Sequence, residues 1–182
     1  MRIQTAITIP ASPEQLWPLL TRSSMNLPGC FCLGLPQPLS CELPDSEGGV
    51  GSIRHCHSDR GHIIQRITEW SPPSRLTFEM VSTDHCWAHQ VQSLRETFHI
   101  IPLSHGLRVT RSTQLKATSP FSLIKEWGFS LGLKRIHFYV FKNWKSQLSL
   151  SPPVSSPSPN STHGTLQNPP ISFTKRDLQD HE

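Results

Sequence analysis

Residues 121 to 148 read FSLIKEWGFSLGLKRIHFYVFKNWKSQL, and this stretch decides the fold. Phe129, Leu133, Ile136, Val140 and Trp144 recur at spacings of four, three, four and four. That spacing predicts one apolar stripe along a long α-helix opened by Pro120. Such a stripe needs a broad apolar partner. Gly128 and Gly132 each weaken the helix by about 1 kcal/mol relative to Ala, or else permit close packing on a sheet. A second stripe, Trp127, Leu131, Phe138 and Phe141, is interleaved with Lys134 and Lys145. One core face does not require both stripes.

The partner lies upstream. Val50–His57, His62–Trp70, Arg75–Ser82, Gln92–Ile101 and Leu107–Ala117 are strand-like runs. Turn signals separate three of the successive pairs: Asp59-Arg60-Gly61, Ser71-Pro72-Pro73-Ser74 and Ser104-His105-Gly106. Short turns between successive strands predict an antiparallel meander. At the N-terminus, Arg2–Ile9 alternates polar and apolar residues as a half-buried strand does. Pro10 ends it, and Ser12, Pro13 and Gln15 form the signature of a capped helix start. Residues 26–49 are rich in Pro, Gly and Cys and read as irregular backbone, with at most a short strand around Leu39–Leu43. From Ser149 the prolines repeat and few apolar residues remain, so residues 149–182 are expected to be disordered. The predicted architecture is α+β: a curved antiparallel sheet wrapped around the long C-terminal helix in residues 1–148, followed by that tail.

Three stretches resemble one superfamily. ITIPASPEQLWPLL looks like the start of the START-like, helix-grip domains, also called SRPBCC or polyketide cyclase/dehydrase-like. GGVGSIRHCHSDRGHIIQRITEWSPPSRLTFEM resembles the Gly-turn, paired strands, Trp-Pro corner and third strand of that family. LRETFHIIPLSHGLRVTRSTQL resembles its last hairpin. The resemblance implies a cavity between sheet and helix that takes a hydrophobic or amphipathic small molecule. Members include carriers and enzymes, so it transfers no catalytic residue.

The hairpin near Ser104-His105 sets Phe98 opposite Arg111 and Glu96 diagonal to Arg111 on the same face. A carboxylate and a guanidinium on an apolar face are costly unless paired. Glu96 and Arg111 therefore either orient a polar group of a ligand or form a structural ion pair. The expected ligand-binding residues are Glu96, Phe98, Val109, Arg111, Phe78, Ile67, Phe129, Leu133 and Ile136. Binding or transport is the first reading. A cyclase or dehydratase with Glu96 as general base is the second. A membrane-peripheral role through Trp127, Leu131, Lys134, Phe138 and Lys145 is the third.

Other classes find no support. The net charge of +4 is dispersed, so no nucleic-acid partner is expected. The His and Cys residues at 55–57 and 84–89 lack paired metal-ligand spacing, and neither a metal nor a cofactor is expected. No G-x-S-x-G elbow or Gly-rich phosphate loop occurs. Met1 leads straight into a strand, which points to a cytoplasmic protein whose five cysteines stay as thiols.

Overall fold

The computed structural model describes residues 1–31, 35–44, 48–118 and 123–150, all within one compact unit, Met1–Pro152. The segment from 151 onward, expected to be a disordered tail, lies outside the described residues. Strand β1 (Arg2–Ile9) leads into helix α1 (Pro13–Thr21), then β2 (Ser23–Ser24) and β3 (Pro38–Glu42). The meander follows: β4 (Ile53–Ser58), β5 (Gly61–Ser71), β6 (Arg75–Thr83), β7 (Val91–Leu103) and β8 (Gly106–Ala117). Helix α2 (Leu123–Leu150) ends the described chain. It continues beyond the boundary expected at residue 148.

Among the described residues all the strands form one antiparallel eight-stranded sheet in the order β1-β8-β7-β6-β5-β4-β3-β2. The expected hairpin register holds, with Phe98 opposite Arg111. Gly106 turns that hairpin with φ +98°, and a Cβ there would run into the backbone of Ile9 and Pro10. Only a residue without a side chain fits that turn and lets β1 pair closely along β8. The two-residue strand β2 and a single 3₁₀ turn at Ala88–Gln90 were not foreseen. Both are too short to show a periodic pattern.

Helix α1 starts as its sequence dictates. Ser12 N donates to Gln15 Oε1 at 2.9 Å and Gln15 N donates to Ser12 Oγ at 3.4 Å, a reciprocal cap. Leu16 and Leu20 are fully buried, and Trp17 meets Trp70 edge-on at 5.2 Å. Helix α2 is anchored mainly by its C-terminal half. Val140, Phe141 and Trp144 are buried in the main core with Ile9, Leu16, Phe78, Phe98 and Val109. The ring centroids of Trp144 and Phe98 lie 5.7 Å apart.

The irregular segment after β2 is tied to the same half of α2 by hydrogen bonds. Asn143 Oδ1 accepts from the backbone N–H of Asn26 and of Leu27, each at 2.9 Å. The Tyr139 hydroxyl donates to the Leu27 carbonyl at 2.8 Å.

Three expectations are corrected. The second helical stripe divides: Phe141 is in the core, while Trp127, Leu131 and Phe138 are exposed. Residue 141 falls on the side turned toward the sheet. Gly132 approaches the Leu35 side chain rather than the sheet, and a Cβ on Gly128 would meet open space. The cysteines are not all thiols, since Cys41 and Cys56 form a disulfide. They sit directly opposite each other on β3 and β4 with Cα atoms 4.1 Å apart. Cys30 and Cys86 are exposed. Among the described residues no helix is long and apolar enough to cross a membrane.

The core contacts of α2 set a stability prediction. Trp144→Ala should destabilise the domain by about 3–5 kcal/mol through cavity creation. Phe138→Ala, on the exposed side of the same helix, should change stability by no more than about 0.5 kcal/mol. Urea unfolding of the two variants measures both.

Candidate functional site

A cavity of about 910 Å³ lies between the concave face of the sheet and helix α2, lined on the helix from Trp127 to Trp144. Period-two alternation builds its floor, because every second side chain of a strand points to one face. Arg54, Cys56 and Ser58 come from β4, and Ile63 and Gln65 from β5. Leu94, Glu96 and Phe98 come from β7, and Arg111 and Leu115 from β8. The roof is the helical stripe Phe129, Leu133, Ile136, Val140 and Trp144. Met25, Cys30, Leu35 and Pro36 contribute from the irregular segment, and His85, Cys86 and Trp87 from the loop after β6.

The floor carries a connected polar cluster. Arg111 Nη2 donates to Glu96 Oε1 at 2.5 Å, and both side chains are buried. Thr113 Oγ1 donates to the same oxygen at 3.2 Å. Gln65 Nε2 donates to Glu96 Oε2 at 3.4 Å, and Arg54 Nη1 donates to Gln65 Oε1 at 3.4 Å. His137, fully buried on α2, bridges Thr113 Oγ1 and Thr5 Oγ1 through its two ring nitrogens, each at 2.8 Å. The Arg54 guanidinium lies over the Phe78 ring at 4.4 Å and that of Arg111 over the Phe98 ring at 5.3 Å. Both placements recover part of the lost hydration through the ring quadrupole.

These neighbours decide the charge states. Burial pushes the Glu96 carboxyl up, but the Arg111 guanidinium, by charge and hydrogen bond, and Arg54 outweigh it and hold the group at about 2. Burial, with Arg111 adding to it and Glu96 opposing, brings His137 down to about 3, so its imidazole is neutral at pH 7. Burial brings Arg54 down to about 10, which leaves it a cation at neutral pH.

Of the residues expected to bind ligand, Glu96, Phe98, Arg111, Phe129, Leu133 and Ile136 are brought together around the cavity. Ile67, Phe78 and Val109 are placed elsewhere: they are fully buried in the packed core and do not line the cavity. Side chains of the first helix and of the C-terminal part of α2 fill that end of the concave face. Arg54, Gln65 and His137 were missed. The register of the β4–β5 hairpin pairs Arg54 with Gln65. The same arithmetic that paired Phe98 with Arg111 would have put both on the inward face.

The histidine-rich segments form local contacts. His85 is bonded to Ser58 Oγ at 2.9 Å and Thr83 Oγ1 at 2.7 Å, and stacks on Trp87 at 5.2 Å. Asp84 pairs with His62 rather than His85, so no Ser-His-Asp relay forms there. Among the described residues no group of three or more His, Cys, Asp and Glu is arranged to hold a metal ion.

A curled antiparallel sheet gripping a C-terminal helix over a cavity defines the helix-grip class of domain. The family described as polyketide cyclase / dehydrase and lipid transport matches residues 1–135, and the chain belongs to that family. Solved structures share the fold. Ginseng major latex-like protein 151 from Panax ginseng is 13% identical, with a TM-score of 0.60 over 81% of this chain and 97% of that one. A START superfamily protein from Mycobacterium smegmatis is 10% identical, with a TM-score of 0.59 over 81% of this chain and 97% of that one. No curated protein sequence matches.

The polar cluster gives the domain a pH signature. Unfolded His137 binds its proton near pH 6.5, whereas the folded group takes it only near 3. Unfolded Glu96 is protonated below about 4.5 and the folded group only near 2. In both windows the unfolded chain binds more protons, so stability falls as pH falls, first through His137 and then through Glu96 as well. Urea midpoints should therefore be lower at pH 5 than at pH 7. His137→Gln should show a smaller drop over that interval, and an unchanged drop would assign it to other groups.

Proposed function

We propose that this domain binds a hydrophobic or amphipathic small molecule between its sheet and helix α2, and carries it rather than transforms it. The observation that carries this reading is a hollow of about 910 Å³ walled mainly by apolar side chains. Its volume falls in the range of ligand sites, and a few convergent polar groups on the wall are the usual means of orienting a ligand. Membership in a family described by cyclase, dehydrase and lipid-transport functions supports the same class. The cyclase or dehydratase reading draws less support. Its one nominal base, Glu96, is locked to Arg111 and held at about 2, far below the pH at which a general base works well.

The test is binding of an uncharged fluorescent dye, N-phenyl-1-naphthylamine, together with native mass spectrometry of purified protein before and after solvent extraction. Dye should bind at one site per chain, and extraction should remove bound small molecules. Leu133→Trp, which pushes a larger ring into the cavity, should weaken dye binding about tenfold or more. Folded protein that takes up no dye would overturn the proposal.

A second reading concerns where the ligand is exchanged. Trp127 and Leu131 are exposed and also line the cavity, with Lys134 exposed beside them and Phe138 and Lys145 exposed further along α2. Aromatic and aliphatic groups beside lysines suit the headgroup region of a bilayer. Co-sedimentation with vesicles containing phosphatidylserine should fall on Trp127→Ala with Leu131→Ala, and again on Lys134→Glu with Lys145→Glu. Binding indifferent to both pairs of substitutions would remove this reading.

A further inference from the structure

The cavity floor is electrostatically unbalanced. It holds two guanidinium groups, Arg54 and Arg111, against one carboxylate, Glu96, with neutral His137 behind it. The carboxylate is already committed. Its Oε1 accepts from Arg111 and Thr113, and its Oε2 from Gln65. Gln65 therefore stands between Glu96 and Arg54, and among the described residues no carboxylate lies within ion-pair distance of Arg54. Arg54 lines the cavity and is only 4% exposed. Among the described residues, its one side-chain hydrogen bond goes to a neutral amide, at 3.4 Å, and its Nε has no partner. The Phe78 ring at 4.4 Å compensates a cation only partly.

A buried guanidinium in this state is ordinarily matched by an anion, and Arg presents a planar fork of donors suited to a carboxylate or another oxyanion. The rest of the chamber is apolar, from Leu94 and Leu115 across to Phe129 and Leu133. An occupant complementary to both features has an apolar body and one anionic end.

We propose that the cavity selects anionic amphiphiles, whose oxyanion docks on the Arg54 guanidinium while the apolar body lies beneath Phe129 and Leu133. This inference rests on the binding reading above and adds the charge of the ligand. It assigns Arg54 as the residue that sets specificity. Glu96, Arg111 and Gln65 hold the floor around it; Glu96 acts on Arg54 only at a distance, across Gln65, so that among the described residues Arg54 is presented without a direct ion-pair partner.

The experiment is displacement of N-phenyl-1-naphthylamine from the whole protein at pH 8 by laurate and by lauryl alcohol, which share a chain and differ in the charged end. Laurate should displace the dye at about tenfold lower concentration or less, as expected for an anion meeting a desolvated cation. Arg54→Met and Arg54→Gln should each reduce that preference to about threefold or below, and Arg54→Lys should keep most of it. Two neutral replacements are used so that poor folding of one leaves the other decisive. Equal displacement by acid and alcohol in the natural chain overturns the anion preference and leaves the binding proposal standing. A preference that survives both neutral replacements overturns the assignment to Arg54. Failure of the dye itself to bind overturns the binding proposal and this inference with it.

Discussion

The two outer strands of the sheet, β1 and β2, are consecutive strands in the chain, and a short connection must reach from one edge to the other. Laid flat, eight strands at about 4.8 Å spacing would set those edges about 34 Å apart. The nine-residue helix α1 rises about 13 Å. The six links outside the helix, from Ile9 to Pro13 and from Thr21 to Ser23, add at most about 20 Å when fully extended. Only at full stretch would the connection span a flat sheet; with Leu16 and Leu20 of α1 seated in the core, it holds the two edges closer together, and the sheet curls. Curling creates the concave face, and the concave face gives α2 a place to lodge. The capping box at Ser12 and Gln15 and the buried Leu16 and Leu20 keep this tether rigid and seated on the core.

Within the curl, α2 packs unevenly. Around Val140, Phe141 and Trp144 large side chains from helix and sheet interlock, and the space closes. Toward Phe129 and Leu133 the two glycines contribute no bulk, and the chamber opens. The polar cluster of Glu96, Arg111, Gln65 and Arg54 lies on the floor of the chamber, with its guanidinium groups over the Phe78 and Phe98 rings. Burying charge there would be unfavourable for folding alone, and apolar residues of similar volume would do at least as well. Retaining these groups on the wall of an apolar chamber makes sense where something in the chamber must be oriented. The neutral His137 behind them fastens helix to sheet through Thr5 and Thr113 without adding charge to the cluster.

Most of the architecture was legible in local pattern. Alternation in residues 2–9 and through the meander marks strands, turn residues mark the hairpins, and the stripe from Phe129 to Trp144 marks the helix. The hairpin turn at Ser104-His105 sufficed to pair Phe98 with Arg111. What escaped is set by three-dimensional depth. Ile67, Phe78 and Val109 share the inward face with cavity residues, and only the seating of α1 and α2 decides which inward positions are filled. Arg54 and Gln65 were not legible because a polar residue at an inward strand position interrupts the apolar alternation that marks that face. Pairing of Cys41 with Cys56 depends on the register of β3, a strand with almost no periodic signal.

Part of the chamber's lining comes from residues outside the helices and strands, Met25, Cys30, Leu35 and Pro36 on one segment and His85, Cys86 and Trp87 on another. These segments contribute little to the ladder of strand hydrogen bonds that supports the sheet. Scaffold and part of the lining are thus separable. Substitutions or insertions in those segments can reshape the chamber wall without disturbing the curl or the charged floor. A domain divided in this way can change the shape of its chamber over evolutionary time at little risk to its ability to fold.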